Sequence, residues 1–413
     1  MIASAKIARY LLILSLIISF ALVLPEFYSK LFYKSIPKSY VYYSSISKEF
    51  LTTQFGNGQV IRKDSKGNVV AREEFERLTP FFNYKQLMYR KEMPDTIQGV
   101  PIDIQDLRLN GIYFSIRSSD IFSYHFPIAP LLESKPGRPD LKMPVEFFRI
   151  DDEFQFIHSA TNSVLPELSK LFNDELVKKG FHFPARGIFG NPTTRKPFDE
   201  GYFIIDNEGY LFHLKRVKNK PYVSKVTLPS DIKVQYVYMR ENNLKEFYAL
   251  MVSEDNRLFL ITYDNYKIIE LPSEGYDRTN FRLTFKGNLL YREVSFTNQN
   301  SIKTIVTDRN YKVIDTYYDK WESNEESTVG IISKSIFPFS ISFEDRNNSF
   351  IDFYFETSGF NYLFGNIIAL LLGLVLFSTK FKRKTSTKII DLIIILATGV
   401  YGLVAVLLIR DEN

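Results

Sequence analysis

The sequence predicts a membrane-anchored, mainly β protein, with a propeller-like outer domain carrying one inserted helix and three transmembrane helices. Three observations predict it. Long apolar runs stand near both ends of the chain, strand-and-turn units recur between them at intervals of 43 to 45 residues, and aromatic side chains make up 15% of the residues. The 26 Tyr and 37 Phe suit a half-buried pleated surface better than a helix. A β-sandwich or two stacked β-domains would satisfy the same pattern.

The first apolar run is residues 10–24 (YLLILSLIISFALVL), the second residues 359–379, without a charged side chain, and the third residues 392–409. Hydrocarbon offers no water to backbone N–H and C=O groups, so a run of about 18–20 apolar residues is stable there as a helix. The expected layout is a cytoplasmic arm (1–9), a first span (10–25), an outer β-rich domain (26–358), a second span (359–379), a basic loop (380–388), a third span (389–409) and an outer tail (410–413). Orientation follows from the basic residues. Lys380, Lys382, Arg383, Lys384 and Lys388 crowd one short loop, and Lys6 and Arg9 precede the first run. Lys/Arg-rich short loops stay on the cytoplasmic side. Both clusters put residues 26–358 outside, which in a bacterial inner membrane is the periplasm. A cleaved signal peptide ending near Ser19-Phe20-Ala21 is the rival for the first run. Apolar and aromatic character continuing to Pro25, Phe27 and Tyr28 favours an uncleaved anchor.

The chain carries 52 basic and 47 acidic residues. Eight of the basic and three of the acidic ones lie in the membrane pieces, leaving 44 of each sign in residues 26–358. The outer body is electrically neutral, so a nucleic-acid partner, which needs a concentrated positive face, has no support. Without a cysteine, disulfides, thiolate metal sites and Cys nucleophiles are excluded.

Within the body, residues 202–229 and 247–272 share one grammar: apolar strand, polar turn, second strand, turn, third strand, Leu-Pro. A third copy aligns YDNYKIIE (263–270) with DRNYKVID (308–315). Residues 50–75 and 340–355 have the same strand-and-turn texture. Multi-stranded units at this period describe propeller blades. Residues 77–145 hold eight prolines and read as loop-rich. Residues 163–180 (SVLPELSKLFNDELVKKG) read as the inserted helix, with Ser163 as N-cap, Leu165, Leu168, Leu171, Phe172 and Leu176 on one face, and Gly180 as the stop.

Chemistry-bearing patterns are thin. His125, His158, His182 and His213 are scattered with no metal-ligand spacing, and strand contexts account for three of them. The acidic groups 151–153, 199–200, 206–208 and 254–255 coincide with expected turns, where Asx side chains bond their own backbone. Residues 187–190 (GIFG) lack the Gly-Lys-Ser/Thr ending of a phosphate loop. No cofactor is expected. A sequon stands at Asn347-Asn348-Ser349, and Asp391 is expected to meet Lys388 or lipid headgroups. Gly365, Ala369 and Gly373 recur every fourth residue of the second span, giving a flat face for helix packing, within a hairpin or against another subunit.

The stretch 196–214 (KPFDEGYFIIDNEGYLFHL), with 180–185 (GFHFPA) and Leu132-Glu133-Ser134, resembles an uncharacterised family of bacterial inner-membrane proteins. That family has the same one-plus-two span layout, and its genes often lie beside an ABC-transporter ATPase. The resemblance implies a non-enzymatic accessory or permease-like subunit of an inner-membrane complex, with an ATPase and other membrane subunits as partners and an outer domain that binds a partner or cargo. A membrane-tethered ligand receptor and a surface hydrolase or lyase are the alternatives.

Overall fold

The computed structural model describes residues 2–34, 38–56, 58–123, 126–344, 351–379 and 385–409. The chain divides into two compact units, one of residues 1–38, 54–60 and 320–413, the other of residues 39–53 and 61–319. The first unit opens with α1 (Ile2–Phe32), a continuous helix with Pro25 inside it.

The second unit is mainly β, built from separate antiparallel sheets with no closed barrel among the described residues. β1 (Lys38–Tyr43), β2 (Phe50–Gly56) and β3 (Gln59–Lys63) form a three-stranded sheet in that order, of which Lys38 and residues 54–60 are counted with the first unit. Next come α2 (Arg72–Leu78) and α3 (Pro80–Arg90), then the short pair β4 (Thr96–Ile97) and β5 (Val100–Pro101), then α4 (Ile104–Asn110), β6 (Ile112–Ile116) and α5 (Ser118–Ile121). β7 (Ile128–Ala129), β8 (Glu146–Ile150), β9 (Phe154–His158) and β10 (Ser163–Val164) make a four-stranded meander, followed by α6 (Pro166–Lys178). A second meander is β11 (Gly187–Gly190), β12 (Tyr202–Ile205), β13 (Leu211–Val217) and β14 (Lys220–Val226). A third is β15 (Val234–Met239), β16 (Phe247–Ser253), β17 (Leu258–Thr262) and β18 (Ile268–Leu271). The last comprises β19 (Arg282–Gly287), β20 (Arg292–Thr297), β21 (Ser301–Thr307) and β22 (Val313–Lys320). The early strand β6 joins its edge, pairing Phe114 with Phe285.

Side-chain alternation explains how these sheets share cores. Along β16 and β17, Ala249, Met251, Phe259 and Ile261 face a cluster shared with Phe203 and Ile205 of the preceding meander. The intervening Leu250, Val252, Leu258 and Leu260 face the opposite way, toward Phe285, Val294 and Phe296 of the following sheet. Period-2 alternation buries both faces, which is why these strands read as unbroken apolar runs. Phe247 joins the second cluster despite sharing parity with Ala249, because a bulge between them shifts the register.

The two sequence repeats are β12–β14 and β16–β18. Residues 50–75 depart from the expected three strands: after β3 a single Lys63–Val69 bridge forms and α2 begins, with Glu73 and Glu74 in its first turn, where acidic side chains favour a helix. The expectation of one inserted helix is likewise corrected, since α2 leads into the proline-rich stretch and α3, α4 and α5 lie within it, all ahead of α6. Ser163 is not the cap of α6; it pairs with His158 in β10, and Pro166 takes the first helical turn, where a missing N–H costs nothing. Phe172 and Leu176 of α6 are buried, whereas Leu171 is 45% exposed.

The first unit continues with α7 (Thr328–Ile336), whose N-terminus is capped by Ser327 Oγ accepting from Gly330 N, and the hairpin β23 (Phe339–Glu344) and β24 (Ile351–Thr357). A short 3-10 turn leads into α8 (Tyr362–Thr379), α9 (Thr385–Thr398) and α10 (Val400–Leu408). Among the described residues two helices are long and apolar enough to cross a membrane, Ala5–Phe32 and Gly359–Thr379, not the three expected. The third run is broken at Gly399, which adopts φ +58°, ψ −129°, a conformation closed to residues with a Cβ. Beyond it α10 folds back on α9: a Cβ on Gly402 would lie 3.0 Å from the carbonyl oxygen of Ile394. Ile13, Ile17, Ala21, Phe337, Ile341, Ile395, Tyr401 and Val406 form the shared core of this unit.

Candidate functional site

Within the β-rich unit, the first strands of two successive meanders, β11 and β15, stand side by side, with the Phe189 ring edge-on to Tyr236 at 5.4 Å. Between them opens a cleft of about 290 Å³ walled by residues 188–191 and 236–240. Gly190 keeps this wall thin: the Tyr202 ring occupies the space a Cβ would need.

Asn191 ends one wall and ties the cleft to a buried ionic network. Its Nδ2 donates to Glu241 Oε2 at 2.8 Å, and its carbonyl accepts from Lys196 Nζ at 2.7 Å. Lys196 Nζ also lies 2.7 Å from Asp199 Oδ1 and 2.5 Å from Glu241 Oε1, and all three side chains are at most 4% exposed. Asp199 Oδ2 accepts from Ser134 Oγ (2.9 Å) and Gly201 N (3.0 Å). Gly201 sits at φ +66° with Leu214 O 2.1 Å from where a Cβ would stand, so the turn that aims this amide needs glycine. Next in sequence, Glu200 accepts from Lys215 Nζ at 2.9 Å.

His213 joins the network from β13. Its Nε2 lies 2.6 Å from the Glu200 carbonyl and its Nδ1 2.8 Å from the Tyr266 hydroxyl. A carbonyl can only accept, so the proton is on Nε2 and Nδ1 accepts from Tyr266. Burial lowers the His213 pKa to about 3, opposed in part by the bond to Glu200 and assisted by Lys215. Tyr248 stacks on Tyr263 at 3.8 Å and is pushed up to about 12 by burial and then by the Glu200 carboxylate. Burial likewise holds Tyr263 and Tyr266 well above the ordinary phenol range. At neutral pH the imidazole is therefore neutral and these phenols are protonated. Neither the imidazole nor these phenols has a pKa near 7, where a general acid or base works best. The arrangement is a buried hydrogen-bonded network behind the cleft, tied to it through Asn191 and Glu241. No group of three His, Cys, Asp or Glu side chains is placed to hold a metal among the described residues.

Residues 40–307 match the family described as Domain of unknown function (DUF4857). The chain belongs to this family. The match covers β-rich residues and leaves α1, α8, α9 and α10 outside it. No curated protein matches the chain. Among solved structures, it is similar to PorZ, an essential bacterial surface component of the type-IX secretion system of Porphyromonas gingivalis, at 11% identity and a TM-score of 0.21, over 68% of this chain and 27% of PorZ. It is also similar to the dihydro-heme d1 dehydrogenase NirN in complex with DHE, at 12% identity and a TM-score of 0.23, over 56% of this chain and 57% of NirN. The chain thus spans less than two thirds of either protein, and likenesses this slight carry no argument about its activity.

In the DUF4857 region the three segments that carried the sequence resemblance meet in space. Ser134 bonds Asp199, Glu133 accepts from the backbone of Lys218 and Asn219, and His182 Nδ1 lies 2.9 Å from Asp206 Oδ2. Asp206 serves its expected turn, accepting from Glu208 N and Tyr210 N. Asp199 makes such a bond too, its Oδ2 accepting from Gly201 N, but Asp199 and Glu200 are 2% and 7% exposed and are also engaged in ion pairs with Lys196 and Lys215. Sequence reasoning placed them in a turn and passed over Lys196 and Glu241; the signal present was a Lys-x-x-Asp-Glu spacing directly ahead of an apolar strand.

Outside the DUF4857 region, Gly365, Ala369 and Gly373 lie on α8 as read. Gly365 abuts the backbone of α7, with Ser335 O 1.9 Å from a Cβ position, while Gly373 faces Ile395 and Leu392 of α9 and Leu403 of α10, and Ala369 is 4% exposed. Lys380, Lys382, Arg383 and Lys384 lie outside the described residues, as do His125, residues 347–349 and the tail 410–413; Lys388 is half-buried in α9. Asp391 is fully buried and paired with Arg9, a correction to the expected contact with Lys388 or headgroups.

Proposed function

We propose that this chain is a non-enzymatic accessory or permease-like subunit of a bacterial inner-membrane complex of the ABC-transporter type. α1 and α8 serve as its anchors, and the β-rich unit faces the periplasm, where it binds a partner or cargo. The observation that carries this reading is the condition of the groups beside the cleft. Lys196 and Lys215 are engaged in ion pairs with Asp199, Glu241 and Glu200, two cations to three carboxylates, and His213 is held neutral, so the site favours holding a ligand over moving protons. The resemblance to a family encoded beside ABC-transporter ATPases supports the choice of complex.

The β-rich unit has a propeller-like plan in this reading. The meanders β11–β14 and β15–β18 each share a core with the sheet before and the sheet after, and the early strand β6 returns to the last sheet, as in a propeller that pairs an early strand with its final blade. Gentle solubilisation of bacterial membranes followed by affinity capture and mass spectrometry tests the assignment. An ATPase subunit in stoichiometric yield is expected; recovery of the chain with no membrane or ATPase partner would sink it.

A further inference from the structure

We infer that the last apolar segment does not cross the membrane but enters and leaves on one face, as a re-entrant helical hairpin turned at Gly399 and latched at its base by Arg9. The inference rests on the membrane-anchored reading above. One guanidinium decides the geometry. Arg9 Nη1 and Nη2 donate to the two carboxylate oxygens of Asp391 at 3.0 and 2.9 Å, while its Nε reaches Ile409 O at 3.3 Å. Asp391 and Ile409 are 18 residues apart and would be separated by about 27 Å along a continuous helix. A planar group a few ångströms across meets both, so the two limbs run antiparallel and return to the level of Arg9.

At each end of the hairpin a side chain covers a backbone carbonyl, which matters where hydrocarbon offers no water. At the tip, Asn366 Nδ2 donates to Leu396 O at 2.8 Å, covering a carbonyl in the last turn of α9. Tyr401 Oη donates to Phe339 O at 2.7 Å, fixing the start of α10 beside the β23 strand. A Cβ at Gly399 would lie 2.1 Å from Asn366 Oδ1, so glycine is required there by space as well as by φ. At the base, Arg9 takes one of the carbonyls left without a helical partner at the end of α10, and its charge is matched by a carboxylate, the usual condition for an arginine at membrane depth. The 14 residues of α9 rise about 21 Å, short of the roughly 30 Å hydrocarbon core. Ile409 therefore returns to the membrane face of Arg9, the cytoplasmic face in the reading above; a third span would carry it to the other face.

The absence of native cysteine makes single-cysteine labelling clean. In spheroplasts bearing the full chain, Asn300→Cys should react with an impermeant maleimide, and Asn413→Cys should react at less than a tenth of its extent until the membrane is permeabilised. Equal labelling of both positions in intact spheroplasts overturns the hairpin. Alkaline carbonate extraction separates that result from failure of the anchoring itself: a chain released into the supernatant overturns the membrane reading, and with it this inference. As a second variant, Gly399→Leu should move Asn413→Cys to the labelled side; unchanged protection of Asn413→Cys with full membrane retention shows that Gly399 does not set the reversal.

Discussion

Arg9 and Asp391 stand 382 positions apart, yet their side chains form a two-point ion pair that is 7% and 0% exposed. A bidentate guanidinium–carboxylate contact is among the stronger charge-assisted hydrogen bonds. Its value is conditional, because a buried pair recovers little more than the cost of desolvating both ions.

Breaking the pair on one side should therefore be worse than removing it. Asp391→Ala leaves a buried guanidinium without its counter-charge and should cost about 3–5 kcal/mol, while Arg9→Met with Asp391→Leu should cost less than either single change. Denaturant unfolding of the detergent-solubilised chain measures both. A double variant less stable than Asp391→Ala would contradict the account.

The Lys196 triad makes a sharper comparison. One ammonium stands between two buried carboxylates, so Lys196→Met leaves Asp199 and Glu241 facing each other unneutralised, a loss of about 3–5 kcal/mol. Glu241→Gln leaves one cation and one anion and keeps an acceptor for Lys196, so it should be much the milder change. If thermal melts of the two variants rank the other way, the charge balance has been misjudged.

His213 should make the β-rich unit acid-sensitive. Its folded pKa of about 3 lies below the ordinary 6.5, so the unfolded chain binds more protons between those values. Stability is whole above pH 6.5 and falls as pH drops toward 3. The loss at pH 5 should be about 2 kcal/mol relative to pH 7. His213→Gln, with a donor for Glu200 O and an acceptor for Tyr266, should flatten that slope. Equal pH dependence in both proteins would remove His213 as the cause.

On α8, Gly365 and Gly373 stand about two turns apart and should respond differently to alanine. At Gly365 the new Cβ would meet a backbone oxygen at 1.9 Å, which cannot move without shifting α7. At Gly373 it would meet Ile395 Cδ1 at 3.0 Å, the end of a flexible side chain. Gly365→Ala should cost the 1–3 kcal/mol typical of overpacking or more, and Gly373→Ala less than 1. Matching melting temperatures for the two would show that α7 yields freely.

The local patterns were legible in the chain because they depend on neighbours in sequence. The apolar runs at 10–24 and 359–379, the strand repeats at 202–229 and 247–272, the Asx turn at Asp206 and the small-residue face of α8 all appear where their residues are. What tertiary structure decided was partnership. Asp199 and Glu200 read as turn acids, and only the fold adds their pairing with Lys196 and Lys215, while Asp391 looks interfacial until Arg9 reaches it. The run at 392–409 has the composition of a span, and hydropathy sums side chains without regard to direction. One glycine at φ +58° turns that run back on itself, because a backbone reversal needs a single permissive residue and neighbours that satisfy its freed polar groups.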